Sequence, residues 1–167
     1  MRFRPPRSFH STFPPYGSSR PGWLRRMLPR VLPALAATLG VLWAAPLTLM
    51  GLLLALPVVC WHGRIRLVDG PTPALLVSGP WADHMLAHHP FGAMIAMAIG
   101  HVVFEERSGL SKRILSHELE HVRQAAAWGP LFPFAYIGAS MWARLHGRDA
   151  YFHNVFEVAA RRAEQHL

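Results

Sequence analysis

The apolar and polar positions of this chain fall into three textures. Residues 31–61 carry no charged side chain at all. A membrane span needs about 20 apolar residues, and this run is long enough. Pro33, Pro46 and Pro57 interrupt it. Pro33 suits a first turn and Pro57 an end, whereas Pro46 should bend the middle. The pattern predicts one kinked span or a re-entrant hairpin breaking at Pro46. A buried core helix is the bland alternative, but soluble helices seldom lack charge for so long. Before this run, residues 1–22 are rich in Arg, Pro, Ser and Gly with no apolar period, which predicts a disordered basic tail.

From His62 the pattern is mixed and globular. Ile65 to Val68 and Ala74 to Val77 are short apolar runs bounded by Gly70-Pro71 and Gly79-Pro80, the signature of strands joined by turns. Trp81 to His89 reads as a loop or short helix. Phe91 to Phe104 reads as extended chain, with the clearest strand at His101 to Phe104. A central helix is expected from about Ser111, which can cap it, to Trp128, where Gly129-Pro130 stops it. A further apolar helix should run from about Leu131 or Pro133 to His146, with Gly147 beyond it. Core packing against the central helix is the simpler expectation for it; lying on a membrane surface is the other, given Trp128 and Trp142. The last helix should run from near Asn154 to about His166. The domain plan is thus a tail (1–22), a membrane segment (23–61) and a head (62–167).

Charge narrows the partners. The formal charge is +8, but residues 1–30 hold seven arginines and no acid, leaving ten basic and nine acidic residues for the rest. The head is near neutral and has no basic stripe to follow a phosphate backbone, so nucleic acid is not an expected partner. Cys60 is the sole cysteine, which excludes a disulfide framework and a thiolate metal site. Arginines closely precede the apolar run, so the positive-inside rule places the amino terminus in the cytoplasm. A single span would then put the head outside the cytoplasm.

The chemistry gathers at His117-Glu118-Leu119-Glu120-His121, an H-E-x-x-H pattern. On a helix the two histidines lie on one face, a turn apart, where they can bind one zinc ion, and Glu118 can serve as general base toward water. At about 100° per residue with His117 at zero, His121 falls near 40° and Glu118 near 100°. Leu115, Leu119, Val122 and Ala126 fall near 140–200°. Glu120 and Gln124 lie in the remaining arc, expected to face solvent. Catalytic zinc usually has a third protein ligand. Glu157, 36 residues after His121, is the candidate, with Glu164 and Asp149 as fallbacks. A competing role for Glu157 is a capping box with Asn154, or a pair with Arg161.

His117 to His121, with Glu157 downstream in Asn154-Val155-Phe156-Glu157-Val158-Ala159-Ala160, resembles the gluzincin group of zinc metallopeptidases, in particular its membrane-tethered members. The resemblance implies an α+β, zincin-like head behind an N-terminal hydrophobic helix. That head would have a short antiparallel sheet, an active-site helix and two further helices. It implies zinc on His117, His121 and Glu157, Glu118 as base, and a peptide or protein substrate lying along an edge strand, for which His101, Val102, Val103 and Phe104 are candidates. It also implies a Tyr or His that stabilises the transition state; Tyr136, His146, Tyr151 and His153 all compete. Two other readings fit the same residues: a non-catalytic zinc-binding membrane protein, and a metal-free membrane scaffold with the same fold.

Overall fold

The computed structural model describes residues 22–69, 72–90 and 92–165, with side chains from residue 31 onward. Most of the basic tail expected over residues 1–22, and the turn at Gly70-Pro71, lie outside them. The fold is mixed α+β. Two helices, α1 (Gly22–Trp43) and α2 (Ala45–Cys60), precede a pair of strands, β1 (Arg64–Val68) and β2 (Ala74–Ser78). Helix α3 (Pro80–Ala87) leads to β3 (Ala96–Ile99) and β4 (Val102–Glu105). Helices α4 (Lys112–Trp128), α5 (Phe132–Leu145) and α6 (Val155–Ala163) complete the chain.

Helix α1 starts at Gly22, so Pro33 sits inside it rather than in a first turn. The break between α1 and α2 falls at Ala44, with Pro46 in the first turn of α2. Proline has no N–H to donate and its ring crowds the preceding turn, so the apolar run folds as two helices. No single helix among the described residues is long and apolar enough to cross a membrane. Residues 31–43 and 45–60 together pass by length and composition, bent by 60°.

The four strands are ordered β1-β2-β4-β3. β1 pairs with β2, and β3 with β4, antiparallel; β2 and β4 run parallel. The sheet is therefore mixed, not the purely antiparallel one expected, because α3 crosses over between β2 and the β3–β4 hairpin. The stretch expected as one extended chain ending at His101 to Phe104 is this hairpin, turned by Gly100 at φ 61°. A Cβ there would strike the Thr48 backbone, so glycine serves both the turn and the close approach of α2.

Alternation along the strands gives the sheet two buried faces. Val77, Val102 and Phe104 pack against Ala55 and Val58 of α2 and Ala82 and Leu86 of α3. Ala74, Leu76 and Val103 pack against Val122 of α4, with Leu115 and Leu119 beside it. The segment read as membrane-bound is thus also one wall of the core. A Cβ on Gly51 of α2 would meet the Ile99 carbonyl at 2.7 Å and the Val102 Cβ at 2.9 Å.

Helix α4 takes its expected limits. The Ser111 side chain accepts from the Ile114 N–H at 3.3 Å, and Gly129 ends the helix at φ 55°. Its polar arc is less exposed than its periodicity implies. Glu120 and Gln124 are buried, because α1 and α6 also pack on α4. Helix α5 departs from the core-helix expectation: only Ala143 of its residues is buried.

Candidate metal centre

Helix α4 presents His117 and His121 one turn apart toward α6, which brings Glu157 between them. The His117 and His121 Nε2 atoms are 3.2 Å apart. Glu157 Oε2 lies 3.3 Å from His117 Nε2, and Glu157 Oε1 lies 3.3 Å from His121 Nε2. The imidazoles are 12% exposed and the Glu157 side chain 3%. Among the described residues, these three form the one group of His, Cys, Asp or Glu side chains placed to hold a metal ion.

The outer nitrogens of both rings are held. His117 Nδ1 is 2.8 Å from Glu164 Oε1, and Glu164 also accepts from Arg113 Nε at 2.5 Å. His121 Nδ1 is 2.9 Å from Gln124 Oε1, while Gln124 Nε2 donates to the Phe156 carbonyl at 3.0 Å. A carboxylate and an amide oxygen only accept, so each Nδ1 carries the hydrogen. In the neutral rings both Nε2 atoms are then bare lone pairs, aimed at one another and at a carboxylate. Such a cluster calls for a cation. Burial works against charge on either ring, but Glu157 and Glu164 lift the His117 pKa and Glu157 and Glu118 lift that of His121. Burial likewise opposes ionisation of Glu157, yet His117, His121 and Tyr136 hold its carboxyl well below the usual range. The three residues could thus hold a cation, a proton or a metal ion, between them.

Glu157 does not serve as a capping residue. The Asn154 N–H donates to the Tyr151 carbonyl at 3.2 Å. Asn154 caps α6 with its own side chain, accepting from the Phe156 N–H at 2.9 Å. Its Nδ2 donates to the Tyr136 carbonyl at 3.1 Å and to Ser140 Oγ at 2.8 Å, which clamps α5 to α6. Arg161, one turn beyond Glu157, makes the expected ion pair with it, at a long 4.0 Å.

Glu118 is buried, its Oε2 has no hydrogen-bond partner, and its carboxylate accepts from the Ala98 backbone N–H. Burial pushes its pKa up, against the pull of the two histidines. Two tyrosines also reach Glu157. Tyr136 donates to Glu157 Oε1 at 2.8 Å, and Tyr151 lies near the same carboxylate, its phenol pushed up to about 12 chiefly by burial and then by Glu157. The Tyr136 phenol is pushed higher still by burial and by Glu157. Both remain donors at neutral pH.

Other expected residues lie elsewhere. His146 is exposed at the end of α5 with its Nδ1 2.8 Å from the Trp142 carbonyl. His153 is exposed, with its N–H on the Asp149 carbonyl. Asp149 caps the Tyr151 and Phe152 N–H groups. Glu164 holds His117 from behind instead of joining the metal group. Val102, Val103 and Phe104 are in β4, an interior strand bonded on both sides, and His101 sits in the turn before it. They form no edge. The edge beside Glu118 is β3. Gln124 is the one partner that periodicity placed wrongly; its position three residues after His121 was the available signal.

Comparison with protein-family models, curated proteins and solved structures gives no match.

Proposed function

We propose that this chain is a membrane-attached zinc metallopeptidase of the gluzincin kind. The observation that carries the reading is the convergence of the two histidine Nε2 atoms and the Glu157 carboxylate beside a buried, unpartnered Glu118 oxygen. Zinc with bonds of about 2.0–2.1 Å in tetrahedral array separates its ligand atoms by roughly 3.3–3.4 Å. The 3.2 Å between the two Nε2 atoms is close to that edge, and each of them lies 3.3 Å from a different Glu157 oxygen. His117, His121 and Glu157 would hold the ion, with Glu164 and Gln124 fixing the tautomers of the rings.

Bound zinc supplies Lewis acidity, making water more acidic and a carbonyl more electrophilic. Glu118 takes the proton of the attacking water and delivers it to the leaving amine; its raised pKa suits both halves of that transfer. Tyr151 offers a protonated phenol to the oxyanion, while the single O–H of Tyr136 is engaged by Glu157. The substrate is an extended peptide paired along β3, whose Ala98 N–H already meets the Glu118 carboxylate. The open leucines of α1 and α2 attach the protein to the membrane, with a cytoplasmic amino terminus and, in a single-pass arrangement, an extracytoplasmic head.

A closed, non-catalytic zinc site would need a fourth protein ligand. The group among the described residues has three, which favours catalysis over a purely structural site. The test is Glu118→Gln. It should retain zinc and lose hydrolysis of a quenched peptide library. A Glu118→Gln protein with full activity would overturn the assignment of the base.

A further inference from the structure

Helix α5 has two unlike faces. Toward the site it turns Tyr136, which donates to Glu157, and Ser140, which accepts from Asn154. Away from it stand Phe134, Ile137, Met141, Trp142 and Leu145. All are exposed, Phe134 at 74% and Leu145 at 79%. Spacings of three and four residues place them on one stripe, and a Cβ on Gly138 in the same stripe would meet nothing. Five large apolar side chains in one strip exceed the scatter of single exposed residues normal on a soluble surface.

We propose that this outer face of α5 is buried in the lipid bilayer, so that the helix carrying Tyr136 lies in the membrane surface and the metal centre sits directly beneath it. Two observations select lipid as the occupant. First, the stripe is continuous with the apolar surface of α1 and α2. Trp43, at the end of α1, lies against Gly129, and Trp43, Trp128 and Leu131 are all exposed around that junction. From there the stripe runs along α5, while the open leucines run back along α2. Second, α5 bears no acidic residue, and Arg144 and Arg148 flank its carboxy-terminal end. That arrangement suits an anionic headgroup layer, with tryptophans at the water boundary. The inference rests on the membrane attachment proposed above but not on the hydrolysis. The substrate class it implies is the extended, membrane-proximal segment of another membrane protein.

The test uses the full chain with Cys60→Ser, reconstituted in vesicles of phosphatidylcholine and phosphatidylglycerol. Single cysteines at Ile137→Cys, Met141→Cys, Leu53→Cys and Lys112→Cys carry an environment-sensitive NBD label, and doxyl-labelled lipid serves as quencher. The expected result is blue-shifted emission and strong lipid quenching at 137, 141 and 53, with none at 112. Quenching at 53 alone overturns the α5 inference while leaving membrane attachment in place. No quenching at any position overturns both. A blue shift at 137 and 141 without lipid quenching means that protein covers the face, a second copy being the first candidate, and also overturns it.

Discussion

Glu157 is where competing readings of one residue separate. As a capping residue it would accept from the Asn154 N–H, and glutamine would replace it with little loss. Its carboxylate instead spans the two histidine Nε2 atoms at 3.3 Å each. Glu157→Gln should therefore weaken zinc binding strongly, because a charged oxygen ligand becomes a neutral amide. Competition titration with a chromogenic chelator measures it, and unchanged affinity would return Glu157 to a structural role. Behind the rings, Gln124→Leu should lower zinc affinity by about 10–100-fold, as loss of a ring-orienting partner does. Gln124→Glu keeps an acceptor for His121 Nδ1 but loses the donor to the Phe156 carbonyl, so it should restore only part of it. A merely structural role for Gln124 would lower thermal stability without changing zinc affinity.

At the scale of elements, α4 was readable from its caps and period, and so was the pairing of its two histidines. The start of α6 followed from Asn154, whereas its end falls at Ala163, short of the expected His166. What periodicity could not show was how many neighbours α4 has. A single amphipathic stripe predicts one buried face, but α1 and α6 cover others, which buries Glu120 and Gln124. The mixed sheet was equally hidden, because strand direction depends on the α3 crossover and not on the strands themselves. The bend near Pro46 was legible in the uncharged run, but neither its division into two separate helices nor its place as a wall of the core was. That wall gives a prediction. A span exposed only to lipid would accept alanine at Gly51 without penalty. Here Gly51→Ala presses on the Ile99 carbonyl and Val102, so it should destabilise the head by about 1–3 kcal/mol, as overpacking does. Chemical denaturation followed by tryptophan fluorescence measures the shift; an unchanged midpoint would mean that α2 is not packed as described.

For the whole molecule, apolar and electrostatic attachment make different demands. A protein held only by its arginine-rich amino terminus would leave membranes in high salt, because surface charges are screened within about 10 Å at 0.1 M. Attachment through the open leucines of α1 and α2 predicts retention in the pellet through both high salt and alkaline carbonate. Release by salt alone would contradict the membrane reading. The candidate metal centre and the exposed apolar stripe lie on opposite faces of α5, so the claim on which the rest depends is that the centre binds zinc. Zinc content of the purified full-length protein tests it most directly. Wild type and Glu118→Gln should each carry about one zinc per chain, as a single-metal site requires, and His121→Ala should carry none. Wild-type protein without zinc after purification and incubation with the metal, or His121→Ala that keeps it, would contradict the account.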